Sequence, residues 1–462
     1  MSASDFPERL GEAGLSPLEA ERKAKLFDQA RRALETLGNA DSASTRYLFV
    51  PGRIEVLGKH TDYAGGRSLL CAAERGFCIA ASARPDERIR IVDAADGSHV
   101  ELTLHPDSAG EAVGWAVYPK TVALRFSRNF SGARTGANIA FASDLPRAAG
   151  LSSSSALTVG LFAILADLNG LVSHPAFMAA IGGRHELADY LGCLESGRTF
   201  AGLDGSEGAG ALTGSEDQTT ILCGRPSELL QSRFCPVQTE RRVPLPRDWT
   251  FVLAVSGVAS DKTGGVREAY NRLSRAAAAV WECWREATGR PDANLFAAAT
   301  STADAPQRMR EILDASTRSD FSRAVLRDRF DQFLSETVEI VPQAAEAIAR
   351  RQEKTLGLIV DRSQALAEQL LRNQIPQTVA LARSARAMGA IASSAFGGGF
   401  GGSVWALVPA AESSRFRTRW AAAYQRAFPD CADRAVFFET RPGPALMRLD
   451  RDSSVASISD LT

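Results

Sequence analysis

The 462-residue chain changes pattern along its length, and that change constrains its fold more than any single motif. From Arg46 to about Asp144, short strand-like runs dominate: RYLFV, RIEVL, GFCIAASA, IRIV, VELTL and NIAFAS. Two helical stretches follow, residues 153–168 and 175 to about 195, and then a polar glycine-rich loop, GLDGSEGAGALTGSEDQ. TFVLAVSGV reads as a strand ahead of a long helix through Arg267, Tyr270 and Leu273. Residues from about 293 to 386 read as almost wholly helical, after which strand-like GAIASSAF and SVWALVPA flank a glycine cluster. A helix and the strand AVFFET complete the pattern. A β-rich first half followed by α-then-β predicts two α+β lobes, residues 1–245 and 246–462. The first lobe includes an N-terminal extension with an amphipathic helix over residues 16–38.

Composition removes several classes of function. Formal net charge is -1, so no global field draws nucleic acid or an anionic membrane, and any anion needs a local site. The start, MSASDFPERLGEAGLSP, lacks a basic segment followed by an apolar core, which argues against a secretory signal. The stretch between Arg147 and Asp167 carries no charge, but it opens with Ala-Ala-Gly and holds four serines. It therefore reads as a loop entering a buried helix, not as a span in lipid. Seven cysteines without a CxxC pair support neither zinc nor a disulfide framework, and a reducing cytoplasm is the expectation.

Three loops carry the chemistry. PGRIEVLGKHTDYAGG (residues 51–66) ends a strand in a cation, an imidazole and a carboxylate, a cluster suited to several hydroxyls of one polyol. It is not a Walker A loop, because its spacer is one residue too long and His60 stands where Ser or Thr would bind magnesium. LPRAAGLSSSSALTVG (residues 145–160) lets backbone N–H groups face an anion at the positive end of a helix dipole. No G-x-S-x-G elbow surrounds its serines, and no histidine sits in a triad context, which disfavours a serine hydrolase. FGGGFGGS (residues 396–403) formally contains G-x-G-x-x-G but runs into strand-like SVWALV instead of a helix, so it is no dinucleotide fingerprint. Its five glycines suit close backbone approach to a partner.

In this order the three segments resemble the motifs of the GHMP kinases, and the first resembles the galactokinase signature. The resemblance runs from about Tyr47 to Leu407. It implies an N-terminal lobe like ribosomal protein S5 domain 2, a ferredoxin-like C-terminal lobe, and ATP with Mg2+ at a site between them. Residue by residue, it implies that Asp217 of GSEDQ is the catalytic base, assisted by Arg53. Lys59, His60, Asp62, Gly214 and Arg267 fall on sugar-side positions, with Tyr270 the rival of Arg267 if the register slips. Trp115 of GWAVYPKTV falls on the adenine side, and Gly150, Ser152, Ser153 and Ser154 on the phosphate loop. Ser154 and Glu195 are the implied magnesium ligands, the latter only if LDGSEGAGAL is an insertion.

Lys59 replaces the family's glutamate, and Glu55 its asparagine. An ammonium accepts no hydrogen bond from a C6 hydroxyl, and Lys59 with Arg267 would favour a C6 carboxylate such as that of galacturonate. Galactose remains the alternative, with Lys59 balancing Glu55. A non-catalytic sugar sensor is a further alternative, against which stand an intact GLSSSSA and Asp217. The expected partners are small molecules only, with neither nucleic acid nor membrane; oligomeric state stays open.

Overall fold

A computed structural model of the chain describes residues 5–38, 44–107, 112–259, 264–450 and 457–461. Two helices, α1 (Phe6–Glu12) and α2 (Pro17–Thr36), precede β1 (Arg46–Leu57), β2 (Arg67–Ala83), β3 (Arg88–Asp93) and β4 (His99–Thr103). Then come α3 (Val117–Asn129), β5 (Ala137–Ser143), α4 (Ser153–Leu168), α5 (Pro175–Ala180), α6 (Arg184–Ser196) and α7 (Glu216–Cys223). The hairpin β6 (Glu228–Arg233) and β7 (Gln238–Pro244) leads to β8 (Trp249–Val255) and α8 (Gly264–Thr288). A mainly helical block reaches Ala387, followed by β9 (Ala392–Phe396), β10 (Ser403–Pro409), a helix over Ser413–Ala427, β11 (Val436–Thr440) and β12 (Met447–Arg448).

The strands form two sheets. The larger has the order β12-β1-β2-β5-β3-β4, with β6 also on β2 and β7 on β6; only β3 and β5 run parallel. The smaller has the order β11-β8-β10-β9 and is antiparallel throughout. Alternation along β1, β2 and β5 sorts side chains to two faces. Val50, Ile79 and Ile139 pack towards Val159 and Phe162 of α4, whereas Phe49, Cys78 and Ala140 pack towards Phe27, Ala30 and Leu34 of α2. Helix α4 is buried from Ser155 to Asp167, as an apolar helix with no polar face must be. Phe251, Leu253, Trp405 and Leu407 of the smaller sheet join the same core as α4, and Trp405 Nε1 donates to Val56 O at 3.2 Å. That continuity holds the two sheets around the site.

The α+β expectation holds, with local corrections. RYLFV and RIEVL belong to one strand, whose register shifts between Pro51 and Arg53, where proline has no N–H for the ladder. The expected helix from 175 to about 195 breaks at Ile181–Gly183. The glycine-rich loop ends sooner than its polarity suggests, because Glu216, Asp217 and Gln218 already open α7. The segments ELLQSR and QTERRVP, unmarked as strands in the pattern, pair as β6 and β7. No helix among the described residues is long and apolar enough to cross a membrane.

Candidate active site

The three loops meet. Arg53 N–H donates to Leu151 O at 3.0 Å, which ties β1 to the serine loop. Ser403 Oγ donates to Ala149 O at 2.6 Å, which ties the glycine loop to the same segment. Gly397 has φ +79°, and a Cβ there would lie 3.1 Å from Gly150 O, so backbone faces backbone with no room for a side chain. A cavity of about 370 Å³ opens beside this junction, walled by Trp115, Phe141, Ser152, Ser153 and Ser154 and by the Gly397–Gly399 backbone. Trp115 stands edge-on to Phe141, ring centroids 5.6 Å apart, and helix α4 starts at Ser153 directly behind its cap Ser152. The unpaired N–H groups of that first turn form an anion cradle.

A second, smaller cavity of about 30 Å³ adjoins the first. His60, Asp62, Thr213, Gly214, Glu216 and Tyr270 line it, while Arg53 and Asp217 line both cavities. Arg53 Nε donates to Asp217 Oδ1 at 2.7 Å, and Nη2 pairs with the same oxygen and, at 3.2 Å, with Glu216 Oε1. Burial alone would lower the Arg53 pKa, but Asp217, Glu216 and Glu55 outweigh it and push it up, so the guanidinium is permanently charged. Burial raises the carboxyl of Glu55 to about 7, helped by the charges of Glu336 and Asp62, and burial raises that of Glu216, helped by the charge of Glu55. Burial, then the Asp217 charge, also raises Asp62. Gly214 is obligatory here, since a Cβ would lie 2.4 Å from Asp62 Oδ2. Ser155 Oγ lies 2.8 Å from Glu195 Oε2 and 3.1 Å from Asp217 Oδ2. One hydroxyl proton cannot serve both oxygens, so this trio suits a shared cation.

Comparison with known proteins fits this arrangement. The galactokinase galactose-binding signature matches residues 36–83, the GHMP kinase N-terminal domain residues 117–197 and the GHMP kinase C-terminal domain residues 344–426. The chain is a galactokinase-like member of the GHMP kinases. As a GHMP sugar kinase it uses ATP as phosphate donor. It is 28% identical to a galactokinase of Roseiflexus sp. (strain RS-1) over 380 residues, 82% of this chain and 87% of that one. It is 25% identical to a galactokinase of Glaesserella parasuis serovar 5 (strain SH0165) over 390 residues, 83% and 90% of the two chains. The crystal structure of Lactococcus lactis galactokinase complexed with galactose shares its fold, with a TM-score of 0.72 at 21% identity, covering 91% of this chain and 99% of that one.

Within this GHMP kinase the sequence-derived residues fare unequally. Asp217, Arg53, His60, Asp62, Gly214, Trp115, Gly150 and Ser152 to Ser154 all line one or both cavities. Lys59 does not. Its ammonium, 1% exposed, donates to Ser363 Oγ at 2.9 Å, and that hydroxyl is 2.9 Å from both oxygens of the buried Glu336. Arg267 is also misplaced: it is exposed beside Gly210, while Val266 and Tyr270, one helical turn apart on α8, face the cavities. Of the two registers, the rival one puts its residue, Tyr270, at the cavity walls; residues 260–263 of that match lie outside the described residues. Ser154 faces the large cavity, but the serine that reaches Glu195 is Ser155, two residues into α4 and on its inner side.

Three site residues escaped sequence reasoning. Glu216 had only its adjacency to Asp217 as a signal. Ser155 had the helical phase of α4. Glu336 had none, because it meets Gly58 N–H at 2.9 Å from far along the chain.

Proposed function

We propose that this kinase phosphorylates the anomeric hydroxyl of a neutral hexose of the galactose type. The observation that carries the reading is the charge around the small cavity. Four carboxyl groups (Glu55, Asp62, Glu216 and Asp217) face one guanidinium, Arg53. A sugar carboxylate would add a fifth acid to a wall where burial already raises Glu55, Glu216 and Asp62, whereas hydroxyls can hydrogen-bond to a carboxyl group in either protonation state. Lys59, the residue that favoured galacturonate, is committed to Ser363 behind the site. The galactokinase relatives support the same choice.

In this reading Asp217 accepts the hydroxyl proton, and Arg53 keeps it a carboxylate while offsetting charge on the transferring group. His60, Asp62, Gly214 and Tyr270 orient the sugar. Trp115 packs on the adenine, and Ser152, Ser153 and the α4 N-terminus hold phosphate. Glu195 and Ser155, with Ser154 at the cavity wall, would hold a magnesium ion through their oxygens. When bound, it would neutralise phosphate charge. We also place the lobe division at 245/246 and the protein in the cytoplasm.

The test is ADP release with ATP-Mg against neutral and acidic hexoses. A kcat/KM for galactose at least about tenfold above that for galacturonate is expected, a difference of about 1.4 kcal/mol in transition-state binding. The reverse order rejects the neutral-sugar reading.

A further inference from the structure

Helix α2 lies on the face of the larger sheet away from the cavities, yet it carries a lysine that is fully buried. Lys23 Nζ is 2.6 Å from Asp144 Oδ2 and 2.8 Å from Glu19 Oε2. Burial alone would lower its pKa, but Asp144 and Glu19 outweigh that and raise it, so it stays an ammonium. A buried ion pair is a poor way to gain stability, since apolar residues of the same volume often do as well or better. Helix α2 already has an apolar anchor in Phe27, Ala30 and Leu34. The position of Asp144 accounts for the lysine. Asp144 is the residue immediately before the serine loop, between Ser143 and Leu145, both of which line the large cavity.

Asp144 is also where that loop is tied down at its upstream end. Its Oδ1 accepts from Gly76 N–H at 2.9 Å, and its carbonyl accepts from Arg75 Nη1 at 3.3 Å. Leu145 N–H turns back onto Ser143 Oγ at 3.1 Å. The downstream end is held separately, by Arg53 N–H on Leu151 O and by Ser403 on Ala149 O. Between these two anchorages the backbone enters the left-handed region at Ala148 (φ +51°), and it does so again just past the downstream one at Ser152 (φ +59°), conformations that persist only where the surroundings enforce them.

We propose that Lys23 is a positioning residue for nucleotide binding: through Asp144 it fixes the upstream end of the serine loop in the geometry that receives phosphate. The inference rests on reading the large cavity as the nucleotide site. Helix α2 thereby becomes part of the nucleotide machinery without touching ligand. The sugar side is independent of it, because His60, Asp62, Gly214 and Tyr270 come from the β1–β2 turn, the loop before α7, and α8.

The test compares Lys23→Met, Asp144→Asn and Glu19→Gln with wild type in KM for ATP, KM for the sugar, binding of ATP-Mg by calorimetry, and thermal stability. Lys23→Met should raise KM and Kd for ATP about tenfold and leave the sugar KM within about twofold, a split that general loosening of the fold does not produce. Asp144→Asn keeps an acceptor for Gly76 but loses the charge, and should shift ATP in the same direction. Glu19→Gln leaves the Lys23–Asp144 pair in place and should leave ATP near wild type. A folded Lys23→Met protein with ATP binding within about twofold of wild type overturns the proposal. If that variant does not fold, unchanged ATP binding in Asp144→Asn overturns it equally. Failure of the wild type itself to bind ATP would instead reject the nucleotide reading of the cavity, and the proposal with it.

Discussion

Asp217 stands in the first turn of α7, between the Arg53 guanidinium and the Ser155 hydroxyl, at the junction of two cavities. Asp217→Asn retains the shape and most contacts but loses the base. Turnover should fall on the order of 10²–10⁴ while ATP binding by calorimetry stays near wild type; a variant keeping more than about half the turnover removes Asp217 from the chemistry. Residues of this kind were legible in the sequence, because a short motif places side chain and backbone together, as GSEDQ does for Gly214 and Asp217. Lys59 was not legible. Its neighbours in sequence predict only that it ends a strand near polar groups, whereas its direction is decided by Ser363 and Glu336, residues that a reading of local pattern cannot bring to it. Net charge at a site therefore follows from who faces whom, and a count of cations in a motif does not give it.

At the scale of elements, the glycine loop between β9 and β10 sets how large a sugar pocket can be. Tyr270 on α8 and the Gly397–Gly398 backbone wall the small cavity of about 30 Å³ and so set its width. A Cβ on Gly398 would lie 2.9 Å from Tyr270 Cδ2, and the Gly398 carbonyl is 3.1 Å from His60 Nε2. Gly398→Ala should accordingly lower kcat/KM for the sugar by about tenfold or more while the protein keeps its melting temperature, as steady-state kinetics and thermal unfolding would show. Wild-type kinetics in that variant would remove Gly398 from the sugar side of the site. The elements themselves were mostly legible: α2 announces itself by periodicity, α4 by an uncharged run behind the serines, and most strands by short apolar runs. The hairpin β6–β7 was hidden because QTERRVP is mostly polar, and its strand identity comes from pairing with β6, which in turn pairs with β2.

At the scale of the whole molecule, both ends of the described chain return to the first lobe. Ser457 Oγ donates to Asp167 Oδ2 at 2.9 Å and Ile458 N–H to Oδ1 at 3.3 Å, so the tail is fastened to a carboxyl near the end of α4. Burial raises that carboxyl to about 6, above its ordinary value of 3.8. A carboxyl raised in the folded state favours folding while protonated, so this contribution is complete below about pH 4 and is lost as pH climbs through about 6. Relative to Asp167→Asn, the wild type should lose roughly 3 kcal/mol of unfolding free energy between pH 4 and 7 in denaturant titrations. Parallel pH profiles would refute the assignment. The pairing of β12 with β1 extends further in its effects. Leu48 finds Arg448 opposite it, 400 residues later. At roughly 5–20 residues per second, a ribosome has delivered β1 some 20–80 s before the strand that covers its outer edge. For that interval the nascent first lobe carries a bare strand edge, the kind of surface on which chains stick to one another. Its yield in a cell is thus decided as much by what shelters that edge during synthesis as by the stability of the finished enzyme.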